Sequence, residues 1–323
     1  MLDERPASPA SPALGTAPRY FSKYGGNWID AADFQDQLAM RSGAGTLTER
    51  ECEQLRFFEQ YGFVILPGAV DRSVVAEICR FSKAVLDSGD PRVLVEALNP
   101  GVTFPRASRQ QLEPRLRERV VKMLDLYYFS DAFHEALFAP AIARFLKTLF
   151  EEPAYLFQSL SFTRGSEQPI HQDSAYVVTD QPMRMVASWI ALEDIEEGSG
   201  ELHYYPGSHR LPEFDFGGGK KHYDVTTDGT DIHHSFLRYL HEESRRRGFT
   251  LEKFRPKAGD CLIWHADLAH GGSPIERQGS TRNSLVAHYC PYSARPNYFT
   301  FKDGVRIETR EAGESYYSSG YYP

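Results

Sequence analysis

Two imidazoles and a carboxylate that converge on one point make a metal site, and the segment Gln168-Pro169-Ile170-His171-Gln172-Asp173 offers the first two donors. In an extended chain, residues i and i+2 face the same side. A strand over 168–173 therefore presents His171 and Asp173 to a single ion. His-x-Asp alone is a common triplet, so the reading depends on a third donor from elsewhere. His270 is best placed among the 11 histidines, because Ala269-His270-Gly271-Gly272 follows closely on the apolar run Cys261-Leu262-Ile263-Trp264-His265. Two histidines and one carboxylate on one face of an octahedron leave three positions open, the arrangement of non-haem iron(II) oxygenases. A 2-oxo acid fills two of those positions and O2 the last. No catalytic group beyond the metal ligands is singled out.

The distal carboxylate of 2-oxoglutarate requires a guanidinium, whose fork matches it bidentately. Arg282 stands at the entrance to the strand-like run Asn283-Ser284-Leu285-Val286-Ala287-His288-Tyr289, and Ser284 at i+2 shares its face. Arg277 competes for the role but sits in Glu276-Arg277-Gln278-Gly279, which reads as an exposed turn. Candidate substrate contacts are Tyr176, just beyond Asp173, and Phe104 and Arg106 in a loop. Arg238 and the histidines of 213–250 can greet an anionic substrate or form a solvated face. His265 reads equally as a support for the metal site and as a core histidine. His203 and His288 lie in strands and read as packing residues, and His209 as the organiser of a turn.

The elements that must position these groups change character near residue 150. Residues 19–150 read mainly as helix: the capping box Thr48-x-x-Glu51 opens one helix that Gly62 stops, and Asp71 caps another. A third helix is expected over 114–128 and a fourth over the apolar stripe Phe133, Leu137, Ile142, Phe145 and Leu149. From 151 to 300 short strands alternate with Gly and Pro turns, at 153–163, 168–173, 184–192, 201–205, 260–265 and 283–290. Arg184-Met-Val-Ala-Ser-Trp-Ile-Ala-Leu192 is apolar almost throughout, as a strand buried on both faces would be. The pattern predicts a mainly β fold, a jelly roll with outer helices. The polar interval 213–250 is long for a connection and reads as a lid insertion with some helix near 232–247. Residues 1–18, rich in Ala, Pro and Ser, read as a disordered tail; 19–312 form one domain, and 313–323 read as a C-terminal tail.

Composition excludes several classes. The formal charge of −8 argues against a nucleic-acid binder, and Arg245-Arg246-Arg247 reads as a solvated helix end. No apolar run reaches the ~20 residues a membrane span needs. The 4 cysteines form no C-x-x-C pair, and no apolar leader follows Met1. A cytoplasmic protein is expected, with a small-molecule partner, no nucleic acid and no membrane; the oligomeric state is left open.

Across residues 50–292 the ordered motifs resemble the phytanoyl-CoA dioxygenase-like family of iron(II)/2-oxoglutarate oxygenases. They are Tyr61-Gly62-Phe63-Val64-Ile65-Leu66-Pro67, His171-Gln172-Asp173, Trp189-Ile190-Ala191-Leu192-Glu193-Asp194, Gly198-Ser199-Gly200-Glu201-Leu202, Pro206-Gly207-Ser208-His209, Ala258-Gly259-Asp260 and His265-x4-His270-Gly271. The resemblance implies a double-stranded β-helix, cupin-like, with Fe(II) held by His171, Asp173 and His270. It implies 2-oxoglutarate contacts at Arg282, Trp189 and Gln158. The family's namesake has a serine two residues beyond the distal histidine; here Gly272 stands there, and Ser273 follows as the candidate. Related halogenases lack the carboxylate ligand, so Asp173 implies hydroxylation or related oxidation of a small metabolite or natural-product intermediate, with release of succinate and CO2. Two rivals differ in class: a non-catalytic jelly-roll binding protein, and a cupin-type isomerase or hydrolase using zinc or manganese.

Overall fold

The computed structural model describes residues 21–97, 106–117, 120–297 and 310–322. Residues 1–18, expected to be a tail, and Phe104 lie outside the described residues. Seven α-helices run α1 Phe34–Gly43, α2 Glu49–Tyr61, α3 Arg72–Ser88, α4 Pro114–Arg117, α5 Asp131–Leu137, α6 Pro140–Phe150 and α7 Thr230–Arg246 among the described residues. The strands before the metal segment are β1 Phe63–Leu66, β2 Leu94–Ala97, β3 Ala107–Ser108, β4 Val120–Leu124 and β5 Ala154–Phe162. After it come β6 Val186–Ala191, β7 Leu202–Tyr204, β8 Glu252–Phe254, β9 Cys261–His265, β10 His270–Gly272, β11 Ser284–Pro291, β12 Arg310–Ala312 and β13 Ser315–Tyr317.

The large sheet is ordered β1-β9-β6-β11-β5-β4-β2-β3 and opposes a small sheet, β10-β7-β8. Strand periodicity sorts its side chains. From β6, Val186 and Ile190 face the helices while Ala187, Trp189 and Ala191 face the interior of the sandwich. From β9, Cys261 and Ile263 face outward, Leu262 and Trp264 inward. From β11, Leu285, Ala287 and Tyr289 pack outward and Val286 inward. Both faces are therefore buried, which is why the run 184–192 lacks a polar alternation. The helices α2, α3, α5 and α6 cover the outer face through Leu55, Phe58, Ile78, Phe133, Phe145 and Leu149.

Local chemistry explains the helix ends. Glu51 N–H donates to Thr48 Oγ1 at 3.3 Å, Thr48 N–H returns to Glu51 Oε2 at 2.7 Å, and Gly62 ends α2 with φ +80°. A side chain at Gly62 would also strike the His209 ring. Pro140 opens α6, where its missing N–H leaves no bond unmade.

Several sequence expectations are corrected. The helix expected over 114–128 is only the single turn α4; Val120–Leu124 is instead a strand, because β5 offers β4 a free edge and pairing outweighs helix propensity. The strand expected at 168–173 reduces to one bridge, His171 with His270, since Pro169 has no N–H to donate and Asp173 starts a 3-10 turn. The described part of the C-terminal segment, 313–322, is not a loose tail: β13 pairs in parallel with β5, Tyr127 Oη donates to Ser318 O at 2.6 Å, and Tyr322 Oη accepts from Leu94 N–H at 2.8 Å. The four cysteines are unpaired, and no described helix is long and apolar enough to cross a membrane.

The C-terminal segment is also fastened by a buried acid. Asp125 accepts from Ser159 N–H and from Ser319 Oγ–H, each at 2.6 Å, and burial pushes its carboxyl up to about 7 despite these donors. Between the ordinary value of 3.8 and about 7 the folded chain keeps a proton the unfolded chain has lost, so stability falls as pH rises through that window. Asp125→Asn keeps an acceptor for Ser159 and tolerates the left-handed φ of 45°. It should flatten the pH dependence of the melting temperature across that window; a slope equal to that of the unaltered chain would contradict the assignment.

Candidate metal centre

His171 and His270 face each other across the single bridge, each N–H donating to the other's carbonyl at 2.8 and 2.9 Å. The bridge ties the metal segment to β10 of the small sheet, and the ring centroids come to 4.4 Å. In both histidines Nδ1 lies 2.9 Å from the carbonyl two residues earlier, Pro169 O and Leu268 O. A carbonyl only accepts, so Nδ1 carries the proton and Nε2 keeps its lone pair for a metal. Asp173 Oδ1 lies 3.6 Å from each Nε2. One ligand atom from each of the three residues lies within 4.8 Å of the others, so the donor set fits a divalent ion that prefers nitrogen and oxygen ligands.

The second carboxylate oxygen is occupied differently. Trp264 Nε1–H donates to Asp173 Oδ2 at 2.8 Å, and His288 Nε2 stands 3.5 Å from the same atom. One oxygen thus faces the ligand histidines while the other is held by β9 and β11. Burial by itself pushes the Asp173 carboxyl up, but His270, His171 and His288 together hold it well below the usual range. Burial pushes His270 down to about 4, so its imidazole is neutral and available as a ligand near neutral pH.

Arg282 is 2% exposed. Its guanidinium lies 5.3 Å from the Phe162 ring and 5.5 Å from Trp189, one Nη donates to Arg164 O at 3.3 Å, and Nε has no partner. Burial pushes it down to about 10, against the pull of Glu193 and Glu201. A buried cation with an unmade hydrogen bond is costly, and an anion entering the cavity would complete it. That cavity, of about 200 Å³, is lined by His171, Asp173 and His270, and also by Trp189, Gln158, Tyr176, Arg282, Val286 and His288. Arg282, two residues before β11, has the parity of Val286 and His288 on that strand, so 2-oxoglutarate and metal carboxylate can be served from one side of the same run of chain.

The other expected residues are placed as follows. Ser284 Oγ is buried without a partner and does not line the cavity. Ser273 is turned away, its Oγ 3.2 Å from His203 Nδ1, and Gly272 lines the cavity instead. Gln158 sits opposite His288 in the β5–β11 register, while Arg282 is bonded to Thr163 at the far end of β5. Gln158 therefore lies level with His288 and away from Arg282 along β5, and its Nε2–H donates to Tyr321 Oη at 3.3 Å. Tyr176 and Arg106 line the cavity; Arg238 is on the outer face of α7, bonded to Ser235. The interval 213–250 contributes no residue to the cavity lining among the described residues, and it meets that lining through Tyr176. Phe236 and Leu240 of α7 pack on Ile170, Ala175 and Ala269, and Tyr176 Oη bonds His233 Nε2 at 2.6 Å. Lys221, from the same insertion, forms a buried ion pair with Asp267 at 2.7 Å, and Asp267 also accepts from Ser174 Oγ.

Lining residues that sequence reasoning missed are Trp264, His288, Lys122, Glu96 and Tyr321. The parity of His288 with Arg282 was the available signal for it.

The profile of the family described as Phytanoyl-CoA dioxygenase (PhyH) matches residues 58–283. The chain is 25% identical over 241 residues to 1-deoxypentalenic acid 11-beta-hydroxylase of Streptomyces exfoliatus, spanning 68% of this chain and 73% of that protein. It is 25% identical over 282 residues to phytanoyl-CoA dioxygenase 1 of Oryza sativa subsp. japonica, spanning 77% and 93%. Among solved structures, the non-heme alpha ketoglutarate dependent epimerase SnoN from nogalamycin biosynthesis superposes with a TM-score of 0.58 at 19% identity, over 83% of this chain and 98% of that one. EctD from S. alaskensis with bound Fe gives 0.54 at 17% identity, over 78% and 79%. These likenesses establish the jelly-roll fold.

Two variants test the division of labour around the metal carboxylate. Trp264→Phe and His288→Phe should each weaken Fe(II) binding by about 10–100-fold, as loss of a group supporting a ligand does. Unchanged Fe(II) affinity in both, measured by competition with a chelator, would show that Oδ2 needs no support. Arg282→Met should raise the KM for 2-oxoglutarate by at least about tenfold with Fe(II) affinity retained.

Proposed function

Because the chain belongs to the phytanoyl-CoA dioxygenase family, we propose that it is an iron(II)- and 2-oxoglutarate-dependent oxygenase that hydroxylates a small metabolite or natural-product intermediate. The observation that carries this reading is the buried triad His171, Asp173 and His270 in one cavity with the partly unpaired cation Arg282. When bound, the ferrous ion and 2-oxoglutarate supply the oxidising chemistry: the co-substrate and O2 give succinate and CO2, and one oxygen atom enters a C–H bond of the substrate.

The chain's own residues bind, orient and shield. His171, Asp173 and His270 would hold the ion, and Arg282 would take the distal carboxylate of 2-oxoglutarate, with Phe162 and Trp189 excluding water around it. Trp264 and His288 would fix the direction of the Asp173 carboxylate. The lining beyond the metal, from Tyr176, Val177, Gln158, Leu160 and Leu124, would hold the substrate. The resemblance of the chain to a hydroxylase and the cavity of about 200 Å³ both favour a small substrate. Unpaired cysteines and a ferrous cofactor suit a reducing compartment, the cytoplasm.

Anaerobic addition of Fe(II) and 2-oxoglutarate should produce a weak visible charge-transfer band, and aerobic turnover should release succinate. Asp173→Ala should abolish both. Turnover supported by zinc or manganese without 2-oxoglutarate would favour the isomerase or hydrolase reading instead, and metal binding with no turnover of any kind would favour the binding protein.

A further inference from the structure

The cavity that holds the metal triad also holds two neutral polar side chains whose hydrogen-bonding capacity is only partly used. Gln158 of β5 is 6% exposed and lines it, as does Tyr321 of the C-terminal segment. Gln158 Nε2–H donates to Tyr321 Oη at 3.3 Å, and neither side chain makes another hydrogen bond among the described residues. An amide carries a carbonyl acceptor and two N–H donors, and a phenol both donates and accepts. The pair therefore still offers the cavity the Tyr321 O–H as a donor and the Gln158 carbonyl as an acceptor. Turning the amide over exchanges the two roles between the residues and leaves the offer unchanged. Burial pushes the Tyr321 hydroxyl up to about 12, so it keeps its proton near neutral pH.

The C-terminal segment holds Tyr321 in this place. Ser319 Oγ–H donates to Asp125 Oδ2 at 2.6 Å, Tyr322 Oη accepts from Leu94 N–H at 2.8 Å, and the Arg106 guanidinium lies 5.5 Å from the Tyr321 ring. The same cavity is lined by Leu124, Leu160 and Val286. A buried donor and acceptor left without partners are costly, and a ligand that completes both is favoured over one that completes neither. A hydroxyl completes both with one oxygen atom, since it accepts from a phenol and donates to a carbonyl. An ether or a carboxylate only accepts and an ammonium only donates, so each leaves one member of the pair unmet.

On the oxygenase reading, on which this inference rests, we infer that the substrate is a largely apolar molecule bearing a hydroxyl, and that Gln158 and Tyr321 together receive that hydroxyl. Leu124, Leu160 and Val286 pack on its apolar body. Tyr321 is thus a specificity-determining residue supplied by the C-terminal segment, and the pair fixes which end of the substrate is turned from the metal.

The test is calorimetric binding to the enzyme loaded anaerobically with Fe(II) and saturating 2-oxoglutarate. The probes are cyclohexanol, cyclooctanol, decahydronaphthol and octanol, each beside its methyl ether and the corresponding amine and carboxylic acid. At least one alcohol should bind about tenfold or more tightly than its ether, the size of one buried hydrogen bond. Gln158→Met and Tyr321→Phe each remove the polar group and keep most of the bulk. One of the two should erase the preference for alcohol over ether, because it removes the acceptor. The other should weaken alcohol and ether alike, because it removes the donor. The charge-transfer band of each variant reports that the metal and 2-oxoglutarate sites are intact. Equal binding of alcohol and ether, a preference for the amine or acid, no binding by any probe, or an alcohol preference that neither variant moves would each overturn the inference. Absence of the band in the unaltered enzyme would instead sink the oxygenase reading beneath it.

Discussion

A carboxylate as deeply buried as Asp173 is costly to ionise, and everything else in the site follows from how that cost is met. One oxygen faces two imidazoles whose Nε2 atoms are each 3.6 Å away; the other receives the Trp264 indole N–H and stands beside His288. No single element could deliver these partners. They come from the bridge segment, from β10, from β9 and from β11, so the site exists only when the two sheets are closed on each other. The same burial that makes the acid costly excludes water from the place where a reactive cofactor would work.

The parity of the large sheet converts this requirement into a sequence rule. Inward positions on β5, β6, β9 and β11 carry Phe162, Trp189, Trp264 and His288, and Arg282 keeps the same parity two residues before β11, while the alternate positions are filled with residues that pack on the helices. A one-residue slip of β11 would move Arg282 into the helix layer. The register shift between His288 and Tyr289 fits this constraint, because His288 pairs with Gln158 and Tyr289 with Leu156, leaving Phe157 as the extra residue. The bulge lets β5 present Gln158 to the cavity and Leu156 to the outer core.

What the sequence discloses follows the range of the interactions. His171, Asp173 and Arg282 are legible because their neighbours in sequence carry the signal, and the strands 184–192, 260–265 and 283–290 are legible because both of their faces are apolar. Lys122 was hidden by a helical reading of 114–128; only the free edge of β5, distant in sequence, makes Val120–Leu124 a strand. Tyr321 was hidden by its place near the end of the chain, where composition suggests looseness but Asp125, Tyr127 and Leu94 supply bonds from far upstream. The insertion 213–250 reads as a cover from its polarity; the packing of Phe236 and Leu240 on Ile170, Ala175 and Ala269, and the ion pair of Lys221 with Asp267 in the loop between β9 and β10, depend on residues distant in sequence.

The division between the legible and the hidden residues has a functional shape. The groups that hold metal and co-substrate lie on the jelly roll proper, where motif and parity fix them together. Glu96 and Lys122 lie on β2 and β4, Arg106 just before β3, and Tyr321 in the C-terminal segment, all outside the strands that carry the metal triad's supports. A fold arranged this way can alter its far wall without disturbing the closure that Asp173 requires, since no residue of that wall touches the metal carboxylate or its supports among the described contacts. The wall nonetheless answers to the same core: β4 and β13 are both attached to β5, the strand that also carries Gln158, so the far wall and the position opposite His288 are held by one strand.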